Sequence, residues 1–228
     1  MARAGVASRR ASEQIILDGR VKVNGTTVTE LGTKVSPEDK ISVDDKLISL
    51  EETKRYVLLN KPAGYVCTMS DEKGRPIASD LLKSEFTERL YNVGRLDMFS
   101  TGAILFTNDG DFAHWVISPK SGIVKTYHAV TEGTVNAHDA AAFKVGITLA
   151  DGTKCLPAEL ILQSDGSCIV KVMEGKYHQV KRMLAACGKP VKELSRLAIG
   201  SVELDSSLKS GDFRPLSEDE LCRLMKKK

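Results

Sequence analysis

Apolar residues run along this chain in short blocks, and most blocks are closed by a residue that turns or caps the backbone. Between Ser8 and Asp18, the residues Ala11, Ile15 and Ile16 fall on one side at helical spacing, and Gly19 supplies a stop. Val21, Lys22 and Val23 then alternate, Asn24-Gly25 supplies a hairpin turn that needs positive φ, and Thr26 to Val28 returns. Ile41 to Val43, the Asp44-Asp45 turn and Lys46 to Ile48 predict a second small pairing. Glu51 to Lys54 contains no apolar residue and reads as a linker. The pattern predicts a helix-plus-hairpin unit over 1–50 and a second domain over 54–228.

In the second domain, Tyr56 to Leu59 and Ile104 to Phe106 are unbroken apolar runs, as buried strands require. The first is expected to stop at Asn60-Lys61-Pro62-Ala63-Gly64. Asn108-Asp109-Gly110 offers caps for a helix over Phe112 to Ile117, closed by Ser118-Pro119. Val124 to Val130 alternates, which places Lys125, Tyr127 and Ala129 on one strand face. Asn136 caps a helix through Phe143. Ile147 to Leu149, the Asp151-Gly152 turn and Leu160 to Leu162 read as a hairpin, and Cys168 to Met173 as a further strand. Val180, Met183, Leu184 and Cys187 recur at helical spacing within a helix over 178–187, ended by Gly188 and Pro190. Ser217 and Glu220 form a capping box for a C-terminal helix carrying Leu221, Leu224 and Met225. Many strands with few, separated helices predict an α+β fold rather than strict βαβ alternation.

At 228 residues, 42% hydrophobic and 28% charged, the chain can bury a core and is too apolar for wholesale disorder. No apolar run approaches the ~18 residues of a membrane span, and Arg9-Arg10 comes too early for a secretion signal. The five scattered cysteines contain no Cys-x-x-Cys pair, which supports neither a zinc ribbon nor a disulfide framework. A reduced, cytoplasmic protein without a membrane partner is expected. The net charge of +3 hides a pattern. Residues 171–198 carry seven basic and two acidic side chains, whereas 51–170 are net −3. Arg3, Arg9, Arg10, Arg20 and Lys22 make a second basic segment near the start. Such segments are either solvated helix faces or phosphate-contacting surfaces for RNA.

Three strings carry candidate chemistry. In Gly94-Arg95-Leu96-Asp97-Met98-Phe99-Ser100-Thr101-Gly102, a carboxylate sits in a glycine-bounded loop beside a buried strand. Asp97 suits a nucleophile toward a sugar C1′ or an electrophilic ring carbon; a loop Asp that merely caps a backbone N–H is the commoner arrangement. In Lys125-Thr126-Tyr127, the Tyr is placed to stack on a base or to take part in proton transfer, or else to be a half-buried sheet tyrosine. In Glu174 to Met183, Lys181 and Arg182 point off the apolar stripe, so that one can neutralise a buried Asp and the other contact phosphate. The histidines at 114, 128, 138 and 178 show no metal spacing, and no phosphate-binding glycine loop or Gly-x-Ser-x-Gly elbow is present.

At these residues the sequence resembles the ribosomal RNA pseudouridine synthases of the small-subunit (RsuA-like) family. The resemblance is carried by Asn60-Lys61-Pro62-Ala63-Gly64, by Gly94-Arg95-Leu96-Asp97 with Ser100-Thr101-Gly102 and Thr107-Asn108-Asp109-Gly110, by Lys125-Thr126-Tyr127, and by Glu174 to Met183 with Arg196 to Gly200. Residues 1–50 resemble the S4-type RNA-binding domain, with a shortened first helix, through Gly5 to Arg10 and Gly19 to Gly25. The resemblance implies a mixed, largely antiparallel catalytic sheet with flanking helices. It implies that Asp97 is the essential carboxylate, attacking C1′ or uracil C6, that Tyr127 packs on the flipped uracil, and that Lys181 pairs with Asp97, with Arg182 as the alternative. Arg95 would fill the gap left in the RNA stack, and Arg9, Arg10, Arg20, Lys22, Lys61 and Arg182 would contact RNA. The isomerisation adds and removes nothing, so no cofactor or metal is implied. The partner implied is ribosomal RNA or a ribosomal subunit assembly intermediate, met by a monomer. The string Tyr177 to Arg182 is more similar to enzymes of small-subunit (16S) rRNA, and Gly5 to Arg10 to relatives acting on large-subunit (23S) rRNA; the reading favours the former. A non-catalytic ribosome-associated RNA-binding protein is the competing reading.

Overall fold

The structure, a computed structural model, describes residues 1–49 and 53–226. The chain divides into two compact units, Met1–Lys54 and Arg55–Lys228. Glu51 and Glu52 of the expected linker lie outside the described residues.

In the first unit a short 3-10 turn, Ala2–Ala4, ends at Gly5 in the left-handed region. Helix α1, Arg9–Leu17, follows, and the Ser8 hydroxyl accepts a hydrogen bond from the Ala11 N–H at 3.2 Å. That bond satisfies one of the donors a helix start leaves open. Strands β1 (Val21–Val23), β2 (Thr26–Val28), β3 (Ile41–Val43) and β4 (Lys46–Ile48) form one antiparallel sheet in the order β2-β1-β3-β4. Both hairpins turn through residues at positive φ, Asn24-Gly25 and Asp44-Asp45, as their sequences predict. The two pairings join because β1 and β3 bring Val21 opposite Val43, and both side chains are buried.

The second unit is built on β5 (Tyr56–Lys61), β6 (Tyr91–Val93), β7 (Thr101–Thr107), β8 (Lys125–Thr131), β9 (Glu159–Leu162), β10 (Cys168–Val172), β11 (Val191–Ile199), β12 (Val202–Glu203) and β13 (Phe213–Pro215). The sheet order is β13-β5-β7-β11-β8-β10-β9, with β6 paired to β7 and β12 to β11. All pairings are antiparallel except β7 with β11. Helices α2 (Gly110–Ile117), α3 (Ala137–Val145), α4 (Gln179–Ala186) and α5 (Glu218–Met225) flank it. Asp109, Asn136 and Ser217 cap α2, α3 and α5 with their side chains, as expected from sequence. The fold is therefore α+β.

Two expectations change. Strand β5 runs two residues past Leu59, because Asn60 and Lys61 still pair with Ala103 and Gly102 of β7. Leu160 to Leu162 does not return against Ile147 to Leu149. That segment makes only a bridge between Thr148 and Lys154, while β9 pairs with β10 across the Ser164-Asp165-Gly166 turn. The nearer turn wins, since a two-strand register through it buries Leu160 and Val170 together.

The core explains why β5 and β7 read as continuous apolar runs. Leu58 and Leu105 pack on one face with Phe112, Val116 and Leu224, while Val57, Leu59, Ile104 and Phe106 pack on the other beneath the 65–90 segment. Both sheet faces are covered, so no position alternates to water. A separate cluster fills the space between β8, β9, β10 and helices α3 and α4. Tyr127 packs against this cluster and against the one under β5 and β7.

Candidate active site

The Asp97 loop leads into β7 and is held from below. Gly94 turns it at φ +77°, and Leu96 buries its side chain. Lys61, wholly buried, donates from Nζ to the carbonyls of Pro62 at 2.8 Å and Met98 at 3.2 Å. Burial pushes this ammonium below its ordinary pKa. Lys61 is thus a strut under the loop and not at the surface that the expected RNA contact requires. The Gly64 N–H also donates to the Met98 carbonyl, at 2.8 Å. The carboxylate of Asp97 stays partly exposed above these supports, at 23% of its side-chain area.

Gly102 shows why the loop exit needs glycine. Its φ is +97°, and a Cβ there would lie 2.3 Å from the Arg196 carbonyl oxygen and 2.9 Å from the Arg196 nitrogen. The clash is with backbone, because β7 and β11 run parallel with Gly102 opposite Arg196. Close approach at this point sets Asp97 beside residues carried by β8, β11 and α4.

From α4 come two groups that meet the carboxylate. Lys181 Nζ lies 3.1 Å from Asp97 Oδ2, and His178 Nε2 lies 2.9 Å from Oδ1. Three residues apart, they share one side of the helix start. Arg182, one step further round, turns away to Asp151 at 2.6 Å. Between Lys181 and Arg182, the structure pairs Lys181 with Asp97. The Ser100 hydroxyl lies 3.4 Å from Oδ2 as well. His178 has φ +49°, a left-handed conformation uncommon for a residue other than Gly or Asn. The preceding loop over-determines it. Gln179 Nε2 donates to the buried Glu174 carboxylate at 2.8 Å, and Gln179 Oε1 accepts from the Lys176 N–H at 2.9 Å.

Tyr127 lies on the inward face of β8, between buried Lys125 and Ala129. Its hydroxyl is 3.3 Å from Arg196 Nη1, and the Arg196 guanidinium stands 5.8 Å from its ring centre. Arg196 is buried on β11, donates from Nε to the Ala103 carbonyl at 2.6 Å, and keeps Nη2 without a hydrogen-bond partner. Lys125 donates to the Ile123 carbonyl at 2.8 Å; burial, with the nearby Arg196 charge, pushes its ammonium down to about 8.

Sequence reasoning did not single out Arg196 or His178 as site residues. An inward charge on a strand looks like a solvent-facing one until the register is known, and a lone histidine carries no spacing signal. Of the other expected residues, Arg95 is exposed two positions before Asp97, and Arg9 and Arg10 are exposed at the start of α1. Arg20 and Lys22 each pair with the β3–β4 turn, Arg20 Nε to Asp44 at 2.8 Å and Lys22 Nζ to Asp45 at 2.6 Å. Among the described residues no cluster of three or more His, Cys, Asp or Glu is placed to hold a metal, and no helix is long and apolar enough to cross a membrane.

A carboxylate in a supported loop, held by a cation and an imidazole, has the character of a positioned nucleophile. Comparison with known proteins points the same way. Residues 55–186 match the RNA pseudouridylate synthase family, and residues 1–41 match the S4 domain. A Mycobacterium tuberculosis protein named an uncharacterized RNA pseudouridine synthase is 40% identical over 98% of this chain and 90% of its own length. The ribosomal large subunit pseudouridine synthase B of Bacillus subtilis is 40% identical over 98% and 93%. The ribosomal small subunit pseudouridine synthase A of Haemophilus influenzae is 37% identical over 96% and 94%. A crystal structure of a pseudouridylate synthase superposes with a TM-score of 0.74 at 36% identity, over 98% of this chain and 96% of that one. With sequence, fold and loop architecture in agreement over nearly its whole length, the chain belongs to the RNA pseudouridine synthase family, as an S4 domain followed by the isomerase domain.

Proposed function

We propose that this protein converts a uridine of small-subunit ribosomal RNA to pseudouridine, with Asp97 as nucleophile. The observation that carries the reading is the Asp97 carboxylate bracketed by Lys181 at 3.1 Å on one oxygen and His178 at 2.9 Å on the other. Bracketing fixes the carboxylate and leaves its outer edge open toward a substrate. Asp97 attacks either C1′ of the ribose or C6 of the uracil. The N1–C1′ bond breaks, the base turns, and C5 bonds to C1′. The C5 proton is lost and N1 gains one, so atoms and charge balance without a cofactor. Tyr127 packs on the uracil and assists removal of the C5 proton, while Arg196 holds its hydroxyl at 3.3 Å.

The base must first leave its stack, at a cost of a few kcal/mol. Arg95, exposed beside Asp97, occupies the vacated place. Arg9, Arg10, Arg20, Lys22 and Arg182 contribute phosphate contacts that hold the RNA meanwhile. Asp44 and Asp45 partly offset Arg20 and Lys22, so Arg9 and Arg10 carry more of the S4 contribution. The protein acts as a monomer in the cytoplasm, on ribosomal RNA or a subunit assembly intermediate. The string Tyr177 to Arg182 favours the small subunit; the relatives named for the two subunits, at 37% and 40% identity, stand on either side of that choice.

Pseudouridine mapping in a strain lacking the protein is the test. One site in 16S rRNA is expected to disappear and to return with the wild-type chain but not with Asp97→Asn, which still binds RNA. Loss of a 23S site instead would overturn the small-subunit assignment. If every site persists, and purified protein leaves all rRNA unmodified, the isomerase reading fails.

A further inference from the structure

One aromatic ring at the site is left over by this mechanism. Tyr177, 68% exposed, lies flat on the His178 imidazole, with ring centres 3.9 Å apart and planes at 16°. The same imidazole reaches Asp97 Oδ1 at 2.9 Å. One ring of this two-ring stack therefore touches the carboxylate, and the other is open to solvent. The stack is built rather than incidental. His178 holds a left-handed backbone at φ +49°, and such a conformation persists where the surroundings enforce it. Buried Glu174 and Gln179 knit the loop on either side of Tyr177. Arg182 Nη1 lies 3.4 Å from the Tyr177 carbonyl, a further tie on the backbone that carries the ring.

Stacked planar rings with an open end accept a third planar ring, and a nucleotide base is one. When a uridine leaves an RNA stack, a base next to it loses its own stacking partner. We propose that Tyr177 is the platform on which a base flanking the target uridine stacks, and that His178 links this platform to Asp97. The proposal rests on the reading of the protein as an RNA pseudouridine synthase. Tyr177 is then a substrate-binding residue, and the base it receives helps to offset the cost of extrusion. Phe99, 73% exposed two residues beyond Asp97, is an open ring on the Asp97 loop, but Tyr177 is the one whose orientation a ring stack fixes.

The test uses the full-length protein and an RNA stem-loop around the mapped uridine, with 2-aminopurine as its 5′ or its 3′ neighbour. Stacking on an aromatic ring quenches this base. Wild type is expected to quench one of the two probes, and Tyr177→Ala to lose that quench. Base–aromatic stacking implies that Tyr177→Ala raises KM about 5- to 100-fold, with kcat within about threefold. Tyr177→Phe and Tyr177→Trp restore affinity, Tyr177→Leu does not, and Val145→Ala, at an exposed apolar position on α3, matches wild type. Wild-type KM and quenching in Tyr177→Ala would overturn the platform while leaving the isomerase reading intact. So would a fall in kcat alone, which would make Tyr177 a support for His178. A wild-type protein that turns over no rRNA overturns both.

Discussion

Replacing Lys181 by Met removes the cation from the Asp97 carboxylate while keeping most of the stem that packs beside it. The two side chains are 30% and 23% exposed, with the charged atoms 3.1 Å apart. A fully hydrated pair of this kind contributes about 0–1 kcal/mol, whereas breaking a buried one costs about 3–5 kcal/mol. A half-buried pair falls between them, at about 2 kcal/mol, which is roughly 30-fold in rate if the charge is needed to hold the Asp97 carboxylate in place. His178 still holds the other oxygen, so the carboxylate is loosened and not lost. The assay is single-turnover release of tritium from RNA labelled at uridine C5, since that hydrogen leaves in the reaction. Lys181→Met is expected to lower the rate about 30-fold and to change KM by less than about threefold. Lys181→Arg, which keeps the charge, recovers most of the rate. A rate within about twofold of wild type in Lys181→Met would refute the reasoning, as would equal losses in the two variants.

Gly102→Ala sets a Cβ against the Arg196 backbone at 2.3 Å where φ is +97°, so the β7–β11 contact must open; a loss of about 3 kcal/mol or more is expected in urea titration, and a loss under about 1 kcal/mol would refute the packing argument. Lys125 loses its proton near pH 8 when folded and near 10.5 when unfolded, so between these values the unfolded chain binds more protons and the folded state gains stability as pH rises. Wild type is therefore expected to gain on Lys125→Met from pH 8 to 10.5 in the same titration, and parallel profiles would count against a buried ammonium.

Helices α2, α3 and α5 were legible because Asp109, Asn136 and Ser217 mark their starts with side chains that do cap them, and α1 because Ala11, Ile15 and Ile16 recur at helical spacing before Gly19. The Asp97 loop was legible because its glycines bound it. Strand β11 was not. Its sequence should alternate, yet the register slips between Val191 and Glu193 and again between Arg196 and Ala198, and each slip breaks the two-residue period. With the strand hidden, Arg196 had no face to be assigned to. Strand β6 has three residues and, unlike the equally short β1 to β4, no tight turn joins it to its partner β7. Lys61 read as surface because lysine seldom lies in a core; its burial follows from β5 running on beneath the Asp97 loop.

The position of β11 also sets when the sheet can close. Among the described strands it alone links β7 on one side to β8 on the other in the sheet path, and it is among the last strands in the chain. Before residue 199 is available, the earlier strands can make two half-sheets, one carrying Asp97 and the other Tyr127, with nothing to hold them in register. Asp97, Tyr127 and Lys181 all precede, in the chain, the strand that joins their parts of the sheet. Closing the sheet through β11 is thus a late, non-local step, of the kind that makes folding slow.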